Sequence, residues 1–138
     1  MSLFSIFDVA GTGMSAQSIR LNTVASNLSN ADNLSSTEAG AYRAKEPVFQ
    51  AIYGAVRDQG NNVNGVRVAS ITESAAPVQA RYMPDNPQAD ANGYVYGSNV
   101  NSIEEMVNMI SASRSFQNNV EVMNTSKQML LKMLTLGD

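Results

Sequence analysis

The side chains that most often carry catalysis are missing from this 138-residue chain, which has no histidine and no cysteine. The commonest general base and the thiol nucleophile are both excluded. A metal site of the His/Cys type is impossible. The twelve acidic residues are spread along the chain, and no spacing marks a catalytic pair. Two segments imitate ligand loops. Gly11-Thr12-Gly13-Met14-Ser15-Ala16, with Asp32 further on, fits a loose dinucleotide fingerprint. That motif needs a strand before it and a βαβ unit around it, and here an apolar stripe at helical spacing runs straight through the glycines. Gln88, Asp90, Asn92 and Gly93 fall at positions 1, 3, 5 and 6 of a calcium loop. Position 1 is an amide, and position 12 is Asn99 where a bidentate Glu is required, so the segment reads as a solvated turn. No catalytic residue, cofactor or metal is expected.

What the residues do specify is packing. Phe7, Ala10, Met14, Gln17, Leu21, Val24 and Leu28 recur at alternating steps of three and four. Met106, Met109, Ser113, Phe116, Val120, Met123, Lys127, Leu130 and Leu134 do the same near the other end. This spacing lays one stripe along one side of a helix and suits knobs-into-holes packing. Helices are expected over 1–31 and 101–138, with 32–100 as a loop and small β-rich segment between them. Gly11 and Gly13 weaken the first helix by about 1 kcal/mol each relative to alanine. The asparagines near residue 30 read as its stop. Ser98 or Ser102 is expected to cap the second helix, with Glu104 and Glu105 in its first turn, where the helix dipole favours them.

Between the helices, 32–41 reads as a polar loop. Strands are expected within 42–53, 66–71 and 78–83, with a short extended piece at 94–96 and turn chemistry at 58–65. Two striped helices could form a parallel dimer. Hairpins in the middle would instead bring the two ends together, so an antiparallel pair within one chain is preferred. The expected fold is therefore α+β: two long terminal helices paired as an antiparallel coiled coil, with a small β-rich middle.

Composition narrows the class further. A net charge of −3 with nine scattered basic residues argues against nucleic acid. No apolar run is long enough to span a membrane. The first residues lack a basic segment followed by an apolar one, so no cleavable secretory signal is expected. Fifteen asparagines and seven glutamines outnumber the nine basic and twelve acidic residues together. An amide-rich surface fits burial against other subunits, where an amide is cheaper to desolvate than a charge. It also fits a plain, weakly charged exterior.

Motifs at both ends carry a resemblance. Phe7-Asp8-Val9-Ala10-Gly11, Leu21-Asn22 and Ser26-Asn27-Leu28-Ser29-Asn30-Ala31-Asp32 stand near the N-terminus. Tyr42-Arg43-Ala44-Lys45, Phe49-Gln50, Asp90 to Val95 and Asn99-Val100-Asn101 follow. Glu105-Met106-Val107, Ser111 to Gln117, Asn119 to Thr125 and Leu134 to Gly137 complete the set. The whole chain resembles the flagellar basal-body rod proteins of the axial rod and hook family, with Ser29 where alanine is more usual. The resemblance implies a structural subunit of the bacterial flagellum that polymerises with copies of itself and other rod proteins. It implies export by the flagellar type III apparatus into a periplasmic rod that carries torque from motor to hook. The subunit-packing residues are then expected to be Phe7, Met14, Leu21, Val24, Asn27, Leu28 and Asn30, with Met106, Met109, Phe116, Val120, Met123, Leu130 and Leu134. The amides of Asn27 and Asn30 are expected to bond neighbouring subunits, with helix termination as the plain alternative. From the residues alone, a soluble helical adaptor or chaperone-like binding module stays open. Fibre formation would favour the subunit, and a discrete complex the adaptor.

Overall fold

A computed structural model describes residues 3–53 and 65–135. Helix α1 spans Leu3–Ser29 and helix α2 spans Ser102–Thr135. Between them lie β1 (Leu34–Ser35), β2 (Lys45–Ile52), β3 (Gly65–Glu73), β4 (Gln79–Tyr82) and β5 (Tyr94–Gly97). The helices pack side by side and antiparallel. Asn27 near the end of α1 meets Glu105 near the start of α2, and Gly13 lies against Asn119. The α+β fold with paired terminal helices is the architecture expected from the sequence.

Helix α1 runs unbroken through both glycines, and at Gly13 the reason is close approach. A Cβ there would lie 2.9 Å from the Asn119 side-chain nitrogen, so the missing methyl is space that α2 occupies. The helix ends in a run of asparagines, one of whose amides bonds a carbonyl of the last turn. Asn30 Nδ2 donates to Ser26 O at 2.8 Å, and Asn33 Nδ2 donates to Asn30 Oδ1. Helix α2 is capped by Asn101, not by Ser98 or Ser102. Its Oδ1 accepts from the backbone N–H of Ile103 at 3.1 Å and of Glu104 at 3.4 Å. Ser102 is already helical, and Ser98 Oγ accepts from Val100 N instead.

The strands form two antiparallel units. β2 and β3 make a hairpin, in register from Lys45↔Glu73 to Ile52↔Gly65 with an irregularity between Val48 and Phe49. It lies along α1. Its open end is held beside Asn27, and Gly65 sits against Thr12, whose Oγ1 accepts from Val66 N. Fifteen helical residues span about 22 Å, and eight strand residues span about 26 Å, so one hairpin arm matches that stretch of helix. The second sheet has the order β1-β5-β4. Its β1 falls within the loop expected at 32–41, where Leu34 and Ser35 are recruited by pairing with Gly97 and Tyr96. Two residues are too few for a strand pattern to show in sequence. The turn expected at 58–65 lies outside the described residues, apart from Gly65.

Asn99 ties the middle together. Its Oδ1 accepts from Ala44 N at 2.7 Å, and its Nδ2 donates to Ala76 O at 2.8 Å. Asp90 organises the β4–β5 turn. Its Oδ1 accepts from the backbone N–H groups of Asn92 at 2.8 Å and Tyr94 at 2.9 Å. Gly93 takes the left-handed φ of +82° that the turn requires. The hydrogen bond from Tyr94 N, helped by Asn92 N and the Tyr96 hydroxyl, holds the Asp90 carboxyl below its ordinary range. A lowered pKa in the folded state means a contribution present above the unfolded value and lost as pH falls through the folded one. Asp90→Ala is therefore expected to lower the thermal midpoint at neutral pH. The gap between the two thermal midpoints should close in acid. A gap that persists unchanged there would show that the carboxylate is not the cause.

Candidate subunit-packing site

The buried apolar side chains are small. Ala10, Ala16, Val24, Ala41, Val95, Val100 and Ala112 are the buried apolar residues among those described. The large apolar side chains lie outside: Ile103, Met106, Val107 and Ile110 on α2 are 76%, 54%, 62% and 54% exposed. Small residues inside let the two helix backbones approach, and large ones outside leave apolar surface without cover.

The seam between the helices follows a stripe that differs from the expected one at every second step. On α2 this side carries buried Ala112 and Ser126 with half-buried Glu105, Met109, Phe116, Asn119, Met123 and Leu130. On α1 it carries buried Ala10, Val24 and Asn27 with half-buried Ile6, Gly13, Gln17 and Arg20, while Ser5, Ala16 and Thr23 are also buried. Ala10, Gln17, Val24, Met109, Phe116, Met123 and Leu130 belong to both the expected and the observed stripe. Phe7, Met14, Leu21 and Leu28 are half-buried on the flank of α1, as are Ser113 and Val120 on α2. Met106, Lys127 and Leu134 are exposed. A stripe moved by one residue at alternate steps still shows three/four spacing. Apolarity alone selects the larger residue at each step, whereas close packing selects the smaller or the hydrogen-bonding one. The visible signal is a second, seven-residue repeat: Gly13, Arg20 and Asn27 on one helix, and Glu105, Ala112, Asn119 and Ser126 on the other.

At one end of the seam these polar residues form a continuous network. Asn27 is 1% exposed. Its Nδ2 donates to Lys45 O and to Glu105 Oε2, each at 2.9 Å. Its Oδ1 accepts from Lys45 N at 2.9 Å and from the Tyr42 hydroxyl at 3.0 Å. The Tyr42 hydroxyl also shares a hydrogen bond with Ser26 Oγ at 3.1 Å, and Lys45 Nζ stands 5.7 Å from the Tyr42 ring centroid. Beyond Glu105 the network continues. Asn108 Nδ2 donates to Glu105 Oε1 at 3.4 Å, and Arg20 Nη2 donates to Asn108 Oδ1 at 3.0 Å. One amide thus joins both helices and the start of the hairpin, with every donor and acceptor of Asn27 used inside the chain. The amide of Asn30 is likewise spent on its own helix end. Further along the seam, Gln17 Oε1 is buried without a hydrogen-bond partner.

This network borders a cleft of about 430 Å³ between the helices and the hairpin, lined by Arg20, Val24, Lys45, Glu46, Glu104 and Glu105 among others. Charges of both signs meet there, which gives no preference for an anion or a cation. Among the described residues, no helix is long and apolar enough to cross a membrane.

The fold and seam define a helix-pair protein with many large apolar side chains exposed along α2. Two sequence families match it at either end. Residues 7–32 match the family described as flagella basal body rod protein, and residues 91–136 match the C-terminal family of the flagellar basal body rod FlgEFG proteins. Similar proteins along the full length are named flagellar basal-body rod protein FlgC. Those of Salmonella typhimurium (strain LT2) and Escherichia coli O157:H7 are each 53% identical over 137 residues, covering 99% of both chains. That of Buchnera aphidicola subsp. Acyrthosiphon pisum is 41% identical over 140 residues, covering the whole of both. The chain belongs to the FlgC family of flagellar basal-body rod proteins.

Proposed function

We propose that this chain is a structural subunit of the bacterial flagellar basal-body rod, polymerising into the helical shaft that carries torque from motor to hook. One observation carries the reading beyond family membership: Ile103, Met106, Val107, Ile110, Leu131, Met133 and Leu134 of α2 are all more than half exposed. A subunit that must pack along its length needs such a surface; a lone globular protein is harmed by it. Residues 1–31 and 101–138 form the axial core in this reading, and 32–100 faces outward. The seam residues act by fixing the shape of the helix pair. Half-buried Phe7, Met14, Leu21, Leu28 and Val120, with exposed Met106 and Leu134, offer surface to neighbours, which are copies of this chain and other rod proteins. Export through the flagellar type III apparatus to the periplasmic rod, without a cleavable signal, follows from the same reading. No catalytic role or cofactor belongs to it.

The test is complementation. Cells lacking this chain should build no complete rod, and supplying it should restore rods in purified basal bodies and restore swimming. Met106→Asp, on the exposed face, should leave the secreted amount unchanged and lower the count of complete rods at least tenfold. Complete rods in cells without the chain would sink the reading. A chain recovered only in a discrete soluble complex would favour a helical adaptor.

A further inference from the structure

Two apolar features of the described helix pair complement each other. The first is a groove. On the flank where Gly65 of the β2–β3 hairpin sits against Thr12, Val9, Gly13, Gln17 and Asn119 line the surface between the helices. Ile6, Val9, Ala10 and Val122 line this groove of about 230 Å³, with Ser5 and Asn119. It continues past Val122 to Met129, with Glu121 on its rim. Val9, Val122 and Met129 are 41%, 46% and 47% exposed. The second feature is the free end of α2. That helix has 34 residues against 27 in α1, and the two are aligned where Asn27 meets Glu105, so the excess falls at its C-terminal end. There Leu131 and Leu134 are 54% and 67% exposed, with Lys127 on the same face.

At 3.6 residues per turn, Lys127, Leu131 and Leu134 point roughly 120–180° away from Val122 around α2. Groove and free end therefore lie on opposite flanks of one molecule and cannot satisfy each other within it. Between copies they can. We propose that the groove of one copy receives the free end of α2 from a second copy of this chain, a contact that rests on the rod-subunit reading above. Leu131 and Leu134 enter the apolar groove, and Lys127 meets Glu121 on its rim. With the two copies parallel, this register displaces one along the other by about six residues, or about 9 Å. An interface between different patches on the two copies repeats from copy to copy, and with an axial displacement it generates a helical array instead of a closed pair.

The chain has no cysteine, so introduced ones report cleanly. Full-length Glu121→Cys and Lys127→Cys are prepared separately, mixed at high concentration and treated with a short bismaleimide. The mixture should give at least five times more cross-linked dimer than either variant alone. Equal cross-linking by each variant alone would indicate a symmetric contact and overturn the proposal, as would a mixture that does not exceed its components. In parallel, Lys127→Glu should weaken self-association in sedimentation at least tenfold, and adding Glu121→Lys should restore it. Failure of that rescue also overturns the contact. Because these readouts use purified protein, they are separate from complementation: rods that form despite a negative cross-link refute the groove contact alone, and a chain absent from rods refutes the rod reading.

Discussion

Replacing Asn27 by alanine is expected to lower the unfolding free energy by about 3–5 kcal/mol, a large effect for so small a change in volume. The side chain is 1% exposed and makes four hydrogen bonds to three other segments of structure. Truncation leaves Lys45 N–H, Lys45 O, the Tyr42 hydroxyl and the Glu105 carboxylate short of a partner. Each buried group left unsatisfied costs about 1–3 kcal/mol, more when it is charged, though such losses do not add fully. Urea denaturation measures the total. Hydrogen exchange measures the coupling: the amides of Lys45 and of the first turns of α2 should lose protection together. A loss below about 1 kcal/mol would show that water replaces the amide without penalty. Asn27→Asp separates shape from donation. It keeps the acceptor but removes both donors and sets a second carboxylate beside Glu105, so it should be no better than alanine.

Val24→Asp is the second large effect, also about 3–5 kcal/mol. Val24 is 4% exposed and lies between Arg20 and Asn27 on the seam. The change removes apolar burial of about 1.5–3 kcal/mol. It also places a carboxylate in a partly desolvated site next to Glu105, which lines the same cleft. Arg20, one turn earlier on α1, offers some compensation, which keeps the estimate from going higher. Val24→Ala isolates the cavity and should cost about 1–3 kcal/mol. Rods should fail with Asp and form at reduced number with Ala. Normal rods with Asp would show that the seam tolerates separation at this level.

Helices and strands were legible in the sequence because their periodicities are strong over long windows. The seam register was only half legible. Met106, Val120 and Lys127 fit the three/four rule as well as Glu105, Asn119 and Ser126 do, and choosing between them needs the partner helix. Gly13 shows this best: read locally it weakens a helix, and read against Asn119 it makes room for one. The role of Asn27 was hidden for a related reason. Its partners are Tyr42, Lys45 and Glu105, and no local rule links an amide near a helix end to a backbone 18 residues away or a carboxylate 78 residues away. Asn101, by contrast, could have been chosen over its serine neighbours as the cap, since asparagine caps as well as serine and precedes the same acidic turn. The β1 pairing left no signal because two residues have no period.

The pairing of the two ends of the chain also sets an order of events. Arg20 waits for Asn108, 88 residues later, and Asn27 waits for Glu105. Contacts of such long sequence separation form late, after the entropy of a large loop has been lost. A chain delivered from one end therefore has no stable partial structure in α1: its seam is rich in glycine and amides, and isolated helices of that kind are marginal in water. The seam of α1 can close only after residues 105–119 have arrived, so the first helix is held open while most of the chain is still being delivered.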